Sequence, residues 1–160
     1  MTFKFRESRG GKSNKICVLS IAASQQRFYA DAVFLDSHVT SKFKMTNSLV
    51  ETSEGKIEYT LAGQGKPILF IHGGHTNCNE MIFQKGLDPN KFCFITPSRP
   101  GYGQTPLTNE NKSPKGTADL NIGLLDKLEI QKASIVGISA GGLTAIEMAA
   151  NYPDRVDNLI

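Results

Sequence analysis

The segment Gly137-Ile138-Ser139-Ala140-Gly141 decides the fold class. It follows the apolar run Ala133–Ile138 and opens a helical pattern, so a strand passes into a helix through a very tight turn. In such a turn the serine takes a strained backbone conformation, and side chains two positions before and after it would collide with neighbouring backbone. Glycine at both positions avoids the collisions. The pattern therefore predicts a Ser139 hydroxyl exposed beyond the carboxyl end of a strand, where a helix dipole favours developing negative charge.

Working outward from this turn, the chain shows short runs typical of strands. Three runs are mostly apolar, one of them continuously so, which indicates strands buried on both faces of a parallel sheet. Two earlier runs flank Glu54-Gly55, a dipeptide suited to a hairpin turn, and one further run begins after Pro153. In chain order the predicted strands are Ser48–Thr52, Lys56–Leu61, Pro67–Ile71, Phe92–Thr96, Ala133–Ile138 and Val156–Ile160.

Three stretches predict helices. Thr76–Lys85 predicts a short one. After the long loop 97–112, Ser113-Pro114 is typical of an N-cap followed by proline at the first helical position, and apolar residues then recur at helical spacing. These residues are Ala118, Ile122, Leu125 and Leu128.

The helix that follows Ser139 predicts an apolar face of four residues, and it should end by Tyr152 because Pro153 disfavours helical geometry in the residue before it. The four residues are Leu143, Ile146, Ala149 and Ala150. Alternating strands and helices predict an α/β fold, a mostly parallel sheet with helices on both faces and right-handed crossovers.

Length and composition are those of one ordinary domain: 160 residues, 39% hydrophobic and 21% charged. The net charge of +3 comes mainly from the first fifteen residues, so the charge pattern does not indicate a nucleic-acid partner. No stretch reaches the roughly 20 apolar residues of a membrane span. Cys17, Cys78 and Cys93 lack metal-ligand spacing and indicate free thiols in a reducing, cytoplasmic compartment. The run Ile16–Ala23 is a poor secretory signal, because it is short and a polar stretch follows it.

A second glycine motif, Ile71-His72-Gly73-Gly74, directly follows the first buried strand. Acyl transfer needs two N–H groups that point at the carbonyl oxygen. The sequence predicts that Ala140, after the serine, and Gly74 supply them. We expect His72 to order this loop by hydrogen bonding, with Gly73 beside it. Among the other histidines, His75 could line a pocket mouth or be solvated, and His38 is incidental.

Together these motifs resemble the α/β-hydrolase superfamily. The resemblance rests on Phe70-Ile71-His72-Gly73-Gly74 and on Gly137-Ile138-Ser139-Ala140-Gly141-Gly142, and it extends to Asn151–Val156. Between them, Ser98-Arg99-Pro100-Gly101-Tyr102-Gly103-Gln104-Thr105-Pro106 is similar to the family's D-x-R-G-x-G-x-S loop, with serine in place of the acid and Pro100 inserted. The resemblance covers about residues 46–160, the N-terminal part of a hydrolase core. Residues 1–45 show no period and are expected to be a poorly ordered extension.

The resemblance implies a serine hydrolase without cofactor or metal, with Ser139 as nucleophile and a carboxylic ester or related acyl, amide or carbon–carbon bond of a small molecule as substrate. The family's chain order is nucleophile, acid, histidine. This chain ends before an acid or histidine at those places, and before the family's lid domain. We therefore expect a fragment of a longer product, truncated after the start of the sixth strand and inactive by itself.

Competing interpretations remain at this stage. A dinucleotide-binding fold would need G-x-G-x-x-G after the first strand, whereas in Gly137-Ile138-Ser139 a serine takes the place of the middle glycine and the motif follows the third buried strand. No phosphate-binding P-loop is present, because Pro67 follows Gly65-Lys66 and no glycine stands five positions before Gly11. A bare G-x-S-x-G can also be a packing turn without chemistry. The serious alternative is a non-catalytic α/β-hydrolase relative that acts as a binding or scaffold protein.

Overall fold

The structure is a computed structural model that describes residues 46–81 and 84–160. The predicted extension, residues 1–45, lies outside the described residues, as do Cys17, His38 and the run Ile16–Ala23. The described strands are β1 (Thr46–Thr52), β2 (Gly55–Gly63), β3 (Lys66–Ile71), β4 (Phe92–Pro97), β5 (Ala133–Gly137) and β6 (Val156–Leu159). The described helices are α1 (Pro114–Lys127), α2 (Gly141–Asn151) and the 3₁₀ turn Pro153–Arg155.

The strands form one sheet in the order β1-β2-β4-β3-β5-β6. The hairpin β1–β2 is antiparallel and turns at Gly55, whose φ of +118° suits glycine. Strand β2 runs antiparallel to β4, whereas β4, β3, β5 and β6 pair in parallel. The chain leaves β3 for β4 on one side and returns to β5 on the other. In parallel sheets, ligands bind beyond the carboxyl ends of strands where the order reverses in this way.

The sheet has an apolar cluster on each face. The larger cluster joins Ile57, Leu69 and Ile135 of the sheet to Leu124 of α1 and Met148 of α2. The opposite face carries a smaller cluster of Ala62, Ile68, Phe70 and Phe94, in which the two phenylalanine rings meet edge to face at 6.1 Å. Both described helices contribute to the larger cluster, so a helix on the second face stays a prediction. Within residues 46–81 and 84–160, no helix has the length and apolar character that crossing a membrane requires.

Helix α1 begins where the sequence predicts. Ser113 is the N-cap, its hydroxyl accepts a hydrogen bond from the Gly116 N–H at 3.0 Å, and Pro114 occupies the first helical position. Ala118, Ile122 and Leu125 are buried in the larger cluster. The predicted apolar face of α1 is therefore confirmed.

Helix α2 ends at Asn151 as predicted, but it buries a different face. Leu143 and Ile146 are 60% and 58% exposed and Ala150 is exposed as well, and of the predicted face only Ala149 packs, half-buried, against the larger cluster. The buried residues of α2 are instead Gly141, Thr144, Ala145 and Met148. The physical reason is the short passage from β5, which presses the helix so close to the sheet that a Cβ on Gly137 would lie 2.6 Å from that of Ala145. Small residues fit this contact, so hydrophobicity alone selects the wrong face.

The predicted helix Thr76–Lys85 was also wrong for its described residues. They form turns with hydrogen bonds three residues back, from Glu80 N–H to the Asn77 carbonyl and from Gln84 N–H to that of Met81, both at 3.1 Å. An α-helix would need bonds four residues back. The backbone of Cys78 is engaged elsewhere, because its N–H donates to Ser98 Oγ at 3.0 Å and its carbonyl accepts from Thr60 Oγ1 at 2.6 Å. Contacts to neighbouring strands therefore replace helical bonds.

The tight contact of α2 predicts unequal effects of alanine at its first two glycines. A Cβ on Gly141 would collide with the backbone carbonyls of Ile71 and His72, whereas a Cβ on Gly142 would meet no atom within 4 Å. We expect Gly141→Ala to lower the free energy of unfolding by about 1–3 kcal/mol through overpacking. Gly142→Ala, the control, should leave it unchanged or raise it by up to about 1 kcal/mol. Urea unfolding measures both, and equal losses would contradict the contact.

Candidate active site

Three loops converge at one edge of the sheet. They follow the carboxyl ends of β3, β4 and β5, which are neighbours in the parallel part of the sheet. They carry His72-Gly73-Gly74, Ser98–Thr105 and Ser139, the three motifs singled out from the sequence. The fold therefore brings together motifs up to 67 positions apart at the point where strand order reverses.

Ser139 occupies the turn between β5 and α2. Its φ of +52° lies in the left-handed region, which a non-glycine residue rarely adopts. The turn is fixed by hydrogen bonds of 2.9 Å from the Gly141 N–H to the Ile138 carbonyl and from the Gly142 N–H to the Ser139 carbonyl. The residue is exposed. In the part of the chain that the structure describes, its hydroxyl has no hydrogen-bond partner, and it lies beside Gly73, where a Cβ would be 3.6 Å from Ser139 Oγ.

Glycines on both sides of Ser139 allow the close approach of α2, β5 and the loop after β3. A Cβ on Gly137 would lie 2.8 Å from Gly142 Cα, and one on Gly141 would reach the His72 carbonyl oxygen at 2.7 Å. Gly73 packs directly against the serine, since a Cβ there would lie 3.1 Å from Ser139 Cβ. A side chain at any of these three positions would push Ser139 or its supports out of place.

His72 is buried and uses both ring nitrogens. Nε2 accepts a hydrogen bond from the Arg99 N–H at 2.9 Å, so Nδ1 carries the proton and donates to the Gly73 carbonyl at 2.7 Å. The ring thus connects the loop after β3 with the loop after β4. Burial is the main cause that lowers the pKa of His72 below its ordinary 6.5; the bond to Gly73 opposes this, and the charge of Arg99 lowers the pKa further.

Arg99 and Tyr102 enclose the other side of this histidine. The guanidinium of Arg99 lies 5.5 Å from the centre of the Tyr102 ring, and its Nη1 donates to the Gly73 carbonyl at 3.2 Å. The Tyr102 ring meets that of His72 edge to face, with 5.1 Å between centroids. The Gly73 carbonyl therefore accepts two hydrogen bonds. They hold in one orientation the start of the loop Gly73–Cys78, the glycine loop.

Two backbone N–H groups, those of Gly74 after Gly73 and of Ala140 after Ser139, were singled out from the sequence as oxyanion donors. Within residues 46–81 and 84–160, neither the Gly74 N–H nor the Ala140 N–H donates a hydrogen bond, and both residues are exposed. A Cβ on Gly74 would meet no atom within 4 Å, so open space surrounds it. His75 is exposed next to it with a φ of +62°. Their roles as oxyanion donors and pocket residue stay predictions.

Glu58 lies next to the site, although no sequence pattern indicated it. This glutamate of β2 is only 4% exposed, and its carboxylate accepts hydrogen bonds from Ser98 Oγ at 2.7 Å and from the Gln104 N–H at 2.9 Å. Burial would raise the pKa of Glu58, but the hydrogen bonds from Gln104 and Ser98 outweigh it and leave the pKa below 4.5. The one available signal was Ser98, which stands where the resembling motif carries an acid.

The lowered pKa of His72 predicts a pH dependence of stability. The folded protein protonates His72 at a lower pH than the unfolded chain does. The contribution of neutral His72 to the free energy of unfolding is therefore complete above about pH 6.5 and is lost as the pH falls below it. We expect the free energy of unfolding to decline between pH 6.5 and 5 less steeply in His72→Gln than in wild type. His75→Gln, at the exposed neighbour, is the control and should follow wild type. Denaturant titrations at several pH values decide, and identical slopes in all three proteins would contradict the assignment.

Comparison with known proteins places this chain in a family. Residues 66–160 match the sequence model described as alpha/beta hydrolase fold. The chain is 43% identical over 105 residues to "Uncharacterized hydrolase YcgS" of Bacillus subtilis (strain 168), which covers 66% of this chain and 37% of that protein. It is 28% identical over 127 residues to "2-hydroxy-6-oxo-6-phenylhexa-2,4-dienoate hydrolase" of Comamonas testosteroni, covering 76% of this chain and 44% of that one.

A solved structure agrees with the sequence relatives. The fold superimposes on a mutant of the N-acyl homoserine lactonase AidH in complex with N-hexanoyl homoserine, with a TM-score of 0.64 and 30% identity, over 72% of this chain and 44% of that chain. The chain thus spans less than half the length of each of these relatives. Since the family match covers more than half of its residues, the chain belongs to the α/β-hydrolase fold family.

Proposed function

We propose that the complete protein is a serine hydrolase in which Ser139 attacks a carbonyl carbon. The observation that carries the proposal is the exposed serine with a φ of +52° at the strand-to-helix turn. Backbone strain of this kind costs about 1–3 kcal/mol and persists where the surrounding structure enforces it, commonly at active sites. A turn that served packing alone would need no exposed hydroxyl at its tip.

The surroundings of Ser139 suit the charge that such a reaction develops. Attack on the carbonyl carbon forms a bond to the serine oxygen, converts the carbon–oxygen double bond to a single bond and leaves negative charge on the carbonyl oxygen. In this proposal the free N–H groups of Gly74 and Ala140 donate hydrogen bonds to it, and the N-terminus of α2 adds its dipole. The serine proton passes to a histidine that a later part of the complete protein supplies. Within the described residues, His72 is occupied at both nitrogens, so it is not the base.

The substrate class that we propose is a small-molecule carboxylic ester or a related acyl compound. One relative is named a lactonase, and a lactone is a cyclic ester. Another is named a hydrolase of a 6-oxo-dienoate, which offers a carbonyl carbon to the same kind of nucleophile. Both named compounds contain a carbonyl carbon, so amide and carbon–carbon bonds remain within the proposal. It needs no metal or cofactor.

Covalent labelling tests the nucleophile. We expect a fluorophosphonate probe to label the complete protein at Ser139, because the activated serine oxygen attacks phosphorus and displaces fluoride. Ser139→Ala should abolish labelling. Ser134→Ala is the control. This half-buried serine lies on β5, and its hydroxyl accepts a hydrogen bond from the Asn158 side chain at 3.1 Å. Mass spectrometry locates the adduct, and labelling that survives in Ser139→Ala would contradict the assignment.

A bulky residue at position 74 tests the second oxyanion donor. The open space around Gly74 predicts that Gly74→Val folds normally, yet its side chain obstructs the carbonyl oxygen. Loss of one such donor lowers turnover by about 10²–10³-fold. Gly142→Val, at another glycine with open space, is the control. Turnover of a p-nitrophenyl ester and thermal unfolding are measured for both, and wild-type turnover in Gly74→Val would place the donor elsewhere.

A further inference from the structure

Glu58 anchors the whole loop that follows β4. Besides the bonds from Ser98 Oγ and the Gln104 N–H, its carboxylate accepts one from Gln104 Nε2 at 3.1 Å. Its backbone carbonyl accepts from the Ser98 N–H at 2.8 Å, and its backbone N–H donates to Thr105 Oγ1 at 2.9 Å. A Cβ on Gly103 would collide with the carboxylate. Both ends of the loop, at Ser98 and at Gln104-Thr105, are thus held by one residue of β2.

Hydrogen bonds connect this loop to the beginning of the glycine loop after β3. The Arg99 N–H donates to His72 Nε2 at 2.9 Å, and both Arg99 Nη1 and His72 Nδ1 donate to the Gly73 carbonyl. Gly73 in turn packs against Ser139, whose Cβ a side chain at Gly73 would approach to 3.1 Å. Ser98, which contacts the Glu58 carboxylate, directly precedes Arg99, which makes these hydrogen bonds.

The end of the glycine loop is held through the same carboxylate. The Ser98 hydroxyl, which donates to Glu58 Oε2 at 2.7 Å, accepts the Cys78 N–H at 3.0 Å. The Cys78 carbonyl is fixed by Thr60 Oγ1 at 2.6 Å, on the same strand as Glu58. The segment from Gly73 to Cys78, which carries Gly74, is therefore tied at both ends to β2 and to the loop that Glu58 anchors.

We propose that Glu58 is a positioning residue that fixes the N–H of Gly74 relative to the Ser139 hydroxyl. The inference rests on the proposed function, since it assigns Glu58 a task in that reaction without contact to substrate. A carboxylate suits the task because it only accepts hydrogen bonds, and three donors converge on it. Such charge-assisted bonds are about twice as strong as neutral ones. Ser98, in place of an acid on the loop itself, bridges the carboxylate of β2 to Cys78.

Three variants of the complete protein test the proposal by the rate of fluorophosphonate labelling and by kcat and KM on a p-nitrophenyl ester. Glu58→Ala leaves the loop unanchored, and we expect labelling and kcat to fall by about 10²-fold with little change in KM, as for a displacement of about 1 Å. Glu58→Gln should lose less than about fivefold, because its carbonyl oxygen can keep the Ser98 and Gln104 N–H bonds while the Gln104 amide turns over.

Ile57→Ala is the matched control for lost stability. Ile57 precedes Glu58 on β2 but points into the larger cluster on the opposite face, with 1% exposure. Ile57→Ala should lower the unfolding temperature while the labelling rate stays within about twofold of wild type. The Ile57 side chain lies on the face of the sheet opposite to the hydrogen bonds between Glu58 and the loop after β4. If Glu58→Ala does not fold, Ser98→Ala replaces it, because this change removes the hydroxyl between Glu58 and Cys78.

The outcomes separate this inference from the proposed function. A wild-type protein without labelling at Ser139 contradicts the proposed function. Labelled wild type with an equal rate in Glu58→Ala, or an equal loss in Ile57→Ala, overturns the positioning role alone. Amide hydrogen exchange reports on the anchor independently of activity: the Arg99 and Gln104 N–H groups should exchange faster in Glu58→Ala than in Ile57→Ala. Equal exchange in the two variants also overturns the inference.

Discussion

The close contact between the first turn of α2 and the ends of β3 and β5 is the constraint on which the rest of this structure depends. Gly141 lies where any side chain would collide with the carbonyls of Ile71 and His72, and Gly137 faces Ala145 and Gly142 in the same way. Only three residues separate β5 from α2, and within this tight turn Ser139 adopts the left-handed backbone conformation, with a φ of +52°. The loop after β3 then reaches the serine closely enough for Gly73 to touch it.

Much of this arrangement could be predicted from local sequence patterns. The apolar runs, the Glu54-Gly55 hairpin and the Ser113-Pro114 helix start all depend on neighbours within a few residues, and each appears where expected. The six predicted strands are present with bounds shifted by no more than two residues. The family assignment follows from the order of three motifs, and the match over residues 66–160 confirms it. The catalytic roles of Ser139, Gly74 and Ala140 remain predictions.

Features that depend on distant partners could not be predicted in this way. The face that α2 buries is selected by the narrow gap to the sheet, so Thr144 and Ala145 point inward although Leu143 and Ile146 are more apolar. The stretch around Cys78 forms turns because Ser98 and Thr60 bind its backbone. Glu58 is buried through partners 40 and 46 positions away, and an isolated glutamate in a strand is typical of a solvated face. No short-range pattern contains this information.

The left-handed backbone at Ser139 also affects how stable the site is relative to the fold as a whole. Strain at one residue is released as soon as the elements that enforce it move apart, and proteins open locally at lower free energy than they unfold. Here the enforcing element is the first turn of α2, which has no side-chain cap and carries Gly141 and Gly142. Fraying of this turn would free Ser139 while the sheet and α1 remain intact. We therefore expect the site to be lost at a lower temperature than that at which the whole protein melts.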